Sequence, residues 1–212
     1  MKFLIKHRSA FFAIGFAMLV LGLVLPLAGC GVPAWLSDAG SIVTLVGASF
    51  TSIASFIAGL TGNTALAALL ATVSAWITKV QSGVTDLTSL ITQYQQGPST
   101  GLLADIEAAL GDLQANVEQD FSNLGLPASV LSVITGIAGV AENLLAEWGA
   151  AIAGVKGATT STEYRTATAR MADLADNLPA AIATYKASVN KILGTPTGDA
   201  VVDAALAAAP RL

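Results

Sequence analysis

The chain is short of the side chains that carry most enzyme chemistry. Its 212 residues include one cysteine and one histidine, and the histidine is His7, close to the start. A lone cysteine rules out an intramolecular disulfide, so stability has to come from packing. Zinc sites, haem ligation and Ser-His or Cys-His catalysis draw on His and Cys. Di-iron sites between helices draw on Glu-x-x-His pairs. None of these patterns is present. A Gly-rich phosphate loop is missing as well: Gly136-Ile137-Ala138-Gly139 falls within a helical pattern and reads as close packing. The expectation is a protein without metal or cofactor, and not an enzyme.

Charge is scarce too. Asp, Glu, Lys and Arg make up 11% of the chain, against about 25% in a typical soluble domain. Hydrophobic residues make up 54% and the mean hydropathy is +0.68. Three things produce such a balance: a membrane segment, a large apolar core, and helices with Ser, Thr, Gly and Ala on their outer faces. Ten basic residues oppose 14 acidic ones. Three of the ten, Lys2, Lys6 and Arg8, stand at the beginning. The rest of the chain then has seven basic against 14 acidic residues, a net of −7. Binding to nucleic acid rests on neutralising phosphates, and no basic stripe is available to do so. Anionic lipid heads would mildly repel such a surface, so membrane attachment has to be hydrophobic.

The first thirty residues have a layout of their own. Lys2, Lys6 and Arg8 precede 16 residues, Ala10 to Leu25, without a charged side chain. Pro26 ends the helical run, and small residues lead to Cys30. This is the three-part plan of a secretory signal. The tetrapeptide Leu27-Ala28-Gly29-Cys30 resembles the lipobox of bacterial lipoproteins at every position. The resemblance covers the leader and its cleavage site only. It implies a diacylglyceryl group on the Cys30 thiol, cleavage between Gly29 and Cys30, and acylation of the new amine by a palmitate-type chain. It further implies export, with the rest of the chain held at the cell membrane or outer membrane and facing the periplasm or exterior. Two or three acyl chains make a stable anchor, each buried methylene adding roughly 0.8 kcal/mol. Three other readings remain. An uncut transmembrane anchor is short at 16 apolar residues, since a span needs about 20. The others are an ordinary secretory signal cut nearby and a buried free thiol.

Beyond Cys30 the pattern is helical, with almost no strand alternation. The expectation is an all-α, up-and-down antiparallel bundle of five long helices and a short sixth, with residues 1–29 as signal peptide and 30–212 as one domain. A first helix from Pro33 to Leu60 steps by four and three through Ala39, Val43, Val46, Phe50, Ile53, Ile57 and Leu60. A second, from Thr64 (its N-cap) to Gln95, keeps the same alternation from Leu66 to Tyr94 over four heptads. A third is predicted over 101–124, capped by Ser99 or Thr100, with Asp105, Glu107, Asp112, Glu118 and Asp120 opposite its apolar side. A fourth covers 128–155, with Gly154 to Thr160 as a loop. A fifth begins near Ser161, and Pro179 is expected to kink or split it. Asp199 to Ala209 forms the last, and Pro210-Arg211-Leu212 is expected to fray. Each long helix would bury one narrow seam and pack at about 20°, with Ala, Gly and Ser allowing close approach.

Long uncharged stretches lie between Asp38 and Lys79 and between Asp120 and Glu142. The first could enter a membrane only as a hairpin, because Gly62-Asn63-Thr64 breaks it. It also carries Ser41, Thr44, Ser49, Thr51, Ser52 and Ser55, several expected on one face opposite the seam, where they would meet water, a protein partner or another copy. Glu142 and Glu147, at the edge of an apolar helix, are candidates for acid/base work, with solvated flank residues as the simpler reading. Arg170 and Asp173 read as a surface pair. Trp76 and Trp148 read as core fillers. Trp35 and Leu36, near Cys30, suit either a membrane interface or first-turn packing. The leading expectation is therefore a non-enzymatic, membrane-tethered envelope lipoprotein that binds a protein partner or itself. One alternative is a carrier for an apolar small molecule, with a cavity lined by residues such as Phe50, Trp148 and Ile134. A second is a membrane-embedded helical hairpin. Leu87→Asp or Ile134→Asp should lower unfolding free energy by roughly 3–5 kcal/mol, through an unpaired buried charge, as measured by urea denaturation.

Overall fold

A computed structural model describes residues 34–62, 66–97, 99–156 and 160–212. Gly29, Cys30 and the rest of the leader lie outside the described residues, as do Thr64 and part of the expected 154–160 loop. So do the side chains of Trp35, Leu36, Val155 and Tyr164. The contacts divide the chain into Met1–Pro33 and Ala34–Leu212. Among the described residues the second unit is all-α and has no strand. Its helices are α1 (Ala34–Leu60), α2 (Ala67–Gln96), α3 (Thr100–Val117), α4 (Ala128–Lys156), α5 (Ser161–Gly194) and α6 (Ala200–Ala208), with a 3₁₀ turn at Ser122–Leu124.

Local chemistry accounts for several of the helix ends. Ser99 caps α3 by accepting the Leu102 N–H at 3.1 Å. Thr160 and Glu163 form a reciprocal capping box at the start of α5. Asp199 caps α6 by accepting from Val201 and Val202. Two glycines adopt positive φ where the chain turns, Gly125 at 70° and Gly198 at 84°.

Helix α3 stops at Val117, seven residues short of the expected end. Asp120 explains the difference. Its carboxylate accepts the backbone N–H of Ser122 at 2.8 Å and the Ser122 hydroxyl at 3.0 Å. That local turn competes with helix continuation. The same N–H bond, then the hydroxyl bond, lowers the Asp120 pKa below the ordinary carboxylate value. Phe121 nonetheless remains buried and Leu124 half-buried, so the apolar seam outlasts the helix. Helix α5 runs unbroken through Pro179, which does not split it. Pro179 is exposed, whereas Leu178 beside it is buried. Core packing on either side holds the helix together despite the missing N–H.

The expected single narrow seam is wrong for α1. All seven of its predicted core positions are buried, but so are Ile42, Leu45, Ser49, Ser52 and Phe56. Only a thin stripe including Ser41, Thr44, Thr51 and Ala58 reaches solvent. Two of the six hydroxyl residues expected on an open face, Ser49 and Ser52, are thus inside. The reason is position: α1 packs against α2, α4, α5 and α6. Helices α2 to α5 also pack each on the next in chain order. The α2 seam follows expectation, with Leu70, Val73, Ile77, Val80, Leu87, Ile91 and Tyr94 all buried. Ile134 in α4 is fully buried.

Glycine lets these helices approach closely. A Cβ on Gly59 would lie 2.9 Å from Ala205 Cβ and 3.2 Å from its Cα, across the α1–α6 contact. A Cβ on Gly136 would meet Ile192 at 3.3 Å, whereas one on Gly139 would meet nothing within 4 Å. The same change should therefore have opposite signs at two helical sites. Gly59→Ala should destabilise by about 1–3 kcal/mol through overpacking. Gly139→Ala should stabilise by about 0.5–1 kcal/mol through helix propensity. Thermal unfolding of the two variants checks both.

Candidate functional site

The interior is filled at the positions where a carrier would need its cavity. Phe50 of α1 meets Trp76 of α2 edge-on, with ring centroids 5.0 Å apart at 64°. Trp76 meets Phe121 at 4.7 Å and 73°, an arrangement favoured by the ring quadrupoles. Its indole N–H donates to the Asn116 carbonyl at 2.6 Å. Trp148 borders an apolar void of only about 10 Å³ among Ile42, Leu87, Ile106 and Leu145, at the lower limit for one water molecule. Both tryptophans serve as core fillers.

Polar groups inside α1 are tied down. Ser49 donates to the Leu45 carbonyl at 2.9 Å, and its oxygen lies 2.6 Å from the Tyr185 hydroxyl. Because the single serine proton is committed to the carbonyl, Tyr185 is the donor across this α1–α5 contact. Burial pushes the Tyr185 pKa up to about 12, and the Ser49 bond opposes the rise. Ser52 donates to the Pro210 carbonyl at 2.8 Å. The tail is also held by Asn190. Its amide donates to the Leu212 oxygen at 3.2 Å, its own oxygen accepts the Leu212 N–H at 3.0 Å, and its carbonyl accepts from Arg211 Nη1 at 3.2 Å. The expected frayed tail is therefore a fastened strap.

The candidates for acid/base work do not gather. Glu142 is half-buried and Glu147 exposed. Arg170 and Asp173 are both on the surface. On α3, Asp105, Asp112 and Glu118 face solvent while Glu107 is half-buried. Among the described residues, no three His, Cys, Asp or Glu side chains cluster as a metal site would require.

What the surface does offer is grooves lined by hydroxyls. One of about 590 Å³ lies between α4 and α5 and is edged by Ser129, Ser132, Ser188, Thr195 and Lys191. A larger one, about 720 Å³, is bounded by α1, α2, α5 and the tail, and both Lys186 and Arg211 line it. Sequence reasoning did not single out these two cations. A signal was present for Lys186 alone, because residues 177–198 contain two lysines and no acid.

Among the described residues, two helical segments, Asp38–Leu60 and Ala128–Gly154, are long and apolar enough to cross a membrane by length and composition. They belong to α1 and α4, whereas the expected membrane hairpin would have used α1 and α2. The most apolar window of each is 56% and 44% buried within the protein. No family model, curated protein or solved structure matches the chain.

Tyr185 gives the domain an alkaline limit. Its folded pKa is raised above the unfolded value near 10. The phenol's contribution is thus fully present below pH 10 and is lost as pH climbs toward 12. Wild-type stability should fall over that window by up to about 3 kcal/mol, on the scale of 1.36 kcal/mol per unit. Tyr185→Phe should be less stable by about 1 kcal/mol at neutral pH and should show a smaller alkaline fall. Urea denaturation at a series of pH values measures both.

Proposed function

We propose that the chain is the precursor of a membrane-tethered bacterial envelope lipoprotein. Its helical domain is an up-and-down antiparallel bundle that acts by binding a protein partner or a second copy, without enzymatic activity. The tether is lipid on Cys30, added before cleavage after Gly29. The compact unit begins at Ala34, only four residues beyond Cys30, so the proposed cut would leave the helical unit whole behind a very short tether.

The observation that favours a partner-binding bundle over a carrier is the filled core beneath a surface rich in hydroxyls and sparing in charge. Ser74, Thr78, Ser82, Thr85, Ser89 and Thr92 are all exposed along α2. The side chains that a carrier would need around its cavity are packed against neighbours. Short connections between successive helices, such as Gly97 to Ser99, suit antiparallel neighbours. Among the described residues, Val201 is the exposed large hydrophobic side chain, at 55%. A lipid-facing surface would need many more.

Two measurements test this reading. Mass spectrometry of the N-terminus should find a peptide that starts at Cys30 and carries a diacylglyceryl mass. A peptide that starts before Gly29, or an unmodified Cys30, overturns the lipoprotein reading. A tagged Cys30→Ser chain without the leader should purify without detergent and be helical by circular dichroism. A requirement for detergent would favour the membrane-embedded alternative.

A further inference from the structure

The tail strap is held by polar bonds as well as by packing. Pro210 and Arg211 are exposed and Leu212 is only half-buried. Leu212 packs against the core and Ala209 just before it is buried, so apolar contact holds the tail in part. Ser52 also holds Pro210, and three hydrogen bonds join Asn190 to Arg211 and Leu212. The consequence is that Arg211 is fixed at the edge of the groove between α1, α2 and α5, where Lys186 also stands. At about 720 Å³, this groove falls within the roughly 300–1,000 Å³ of small-molecule sites.

Its chemistry is selective. After Cys30 the chain has seven basic residues against 14 acidic ones. Two of the seven line this groove and no acidic side chain does; a terminal carboxylate on Leu212, which also lines it, would still leave one net positive charge. On an otherwise acidic surface that combination marks a local site for an anion. The hydroxyls narrow the choice. Thr44, Thr88 and Thr92 donate to the carbonyls of Gly40, Val84 and Thr88 at 2.8, 2.7 and 2.9 Å. With their protons committed, the three oxygens offer lone pairs to a ligand's O–H groups. Gln95, also on the lining, offers both donor and acceptor. Leu45, Ile91 and Ile182 supply apolar lining, against which the C–H face of a sugar ring can rest.

We propose that this groove binds an acidic saccharide. Its anionic group pairs with Lys186 and Arg211, its hydroxyls donate to the threonines, and its ring lies against the aliphatic side chains. A bare anion leaves the threonine oxygens and aliphatic lining unused. A neutral sugar leaves the cations unused. The proposal does not depend on lipid at Cys30 or on a protein partner.

The test is isothermal titration calorimetry of the full chain in a polyoxyethylene detergent at low salt, with D-glucuronate, glucose and acetate as probes. Glucuronate should bind about tenfold or more tightly than either glucose or acetate, since each lacks interactions worth about 1.4 kcal/mol. Lys186→Gln should weaken glucuronate binding at least about fivefold with unchanged thermal stability, because the side chain is exposed. Arg211→Gln should weaken it similarly. Thr88→Val with Thr92→Val should narrow the preference for glucuronate over acetate. No heat from glucuronate up to about 10 mM would overturn the site, as would Lys186→Gln binding like wild type. Equal affinity for acetate and glucuronate would overturn the saccharide assignment.

Discussion

A helix enclosed on several faces has to satisfy within the protein every polar group it carries on those faces, because water cannot reach them. Helix α1 is under that constraint, and much of the architecture follows from how Ser49 and Ser52 meet it. Each hydroxyl is within reach of a carbonyl one turn back in its own helix. Each also engages a distant element: Ser49 reaches Tyr185 on α5, and Ser52 reaches Pro210 beyond α6. Two small polar groups inside an apolar helix thereby fix the register of α5 and the path of the tail. Apolar replacements at those positions would set no such register.

The small residues complete the same arrangement. With Ala205 directly across from it, Gly59 brings α6 close to α1. Gly47 receives Val84 of α2, and a Cβ there would stand 3.0 Å from it. A helix that must touch four others needs such flat places, because bulky side chains would hold its neighbours apart. The scarcity of charge within α1 has the same origin. Few charges are needed on a helix whose solvent-facing stripe is narrow, and short hydroxyl side chains can occupy that stripe without projecting far.

These facts set what could be read in advance. The four-and-three stepping of α2 names its buried side chains apart from Trp76, because that helix packs mainly along one side, against α1 and α3. The stepping in α1 finds one stripe correctly and misses the rest, since hydropathy cannot tell a serine facing solvent from one facing a tyrosine hydroxyl. The α3 boundary fails for a related reason. Phe121 and Leu124 continue the apolar rhythm, but Asp120 has already turned the backbone. The tail is illegible because its attachment depends on Asn190, twenty residues away and unremarkable in sequence. The candidate groove is illegible on the same grounds: Thr44, Thr88 and Lys186 belong to three helices, and only the packing of α1 brings them together. Lys186 alone leaves a trace, as a cation on a stretch without acids.

The same packing bears on how the protein would meet a membrane. The two segments apolar enough to span, in α1 and α4, are also the ones on which the core is built. Turning α1 toward lipid would separate Phe50 from Trp76 and Ser49 from Tyr185, and would strand the tail. The core contacts so lost would be replaced by lipid tails that are no more apolar than the leucines and isoleucines they displace. Insertion therefore gains little apolar contact and gives up specific hydrogen bonds. A lipid on Cys30 requires no such rearrangement, because it precedes the compact unit in sequence. Attachment through the proposed acyl chains would leave the packing of α1, and everything fastened to it, intact.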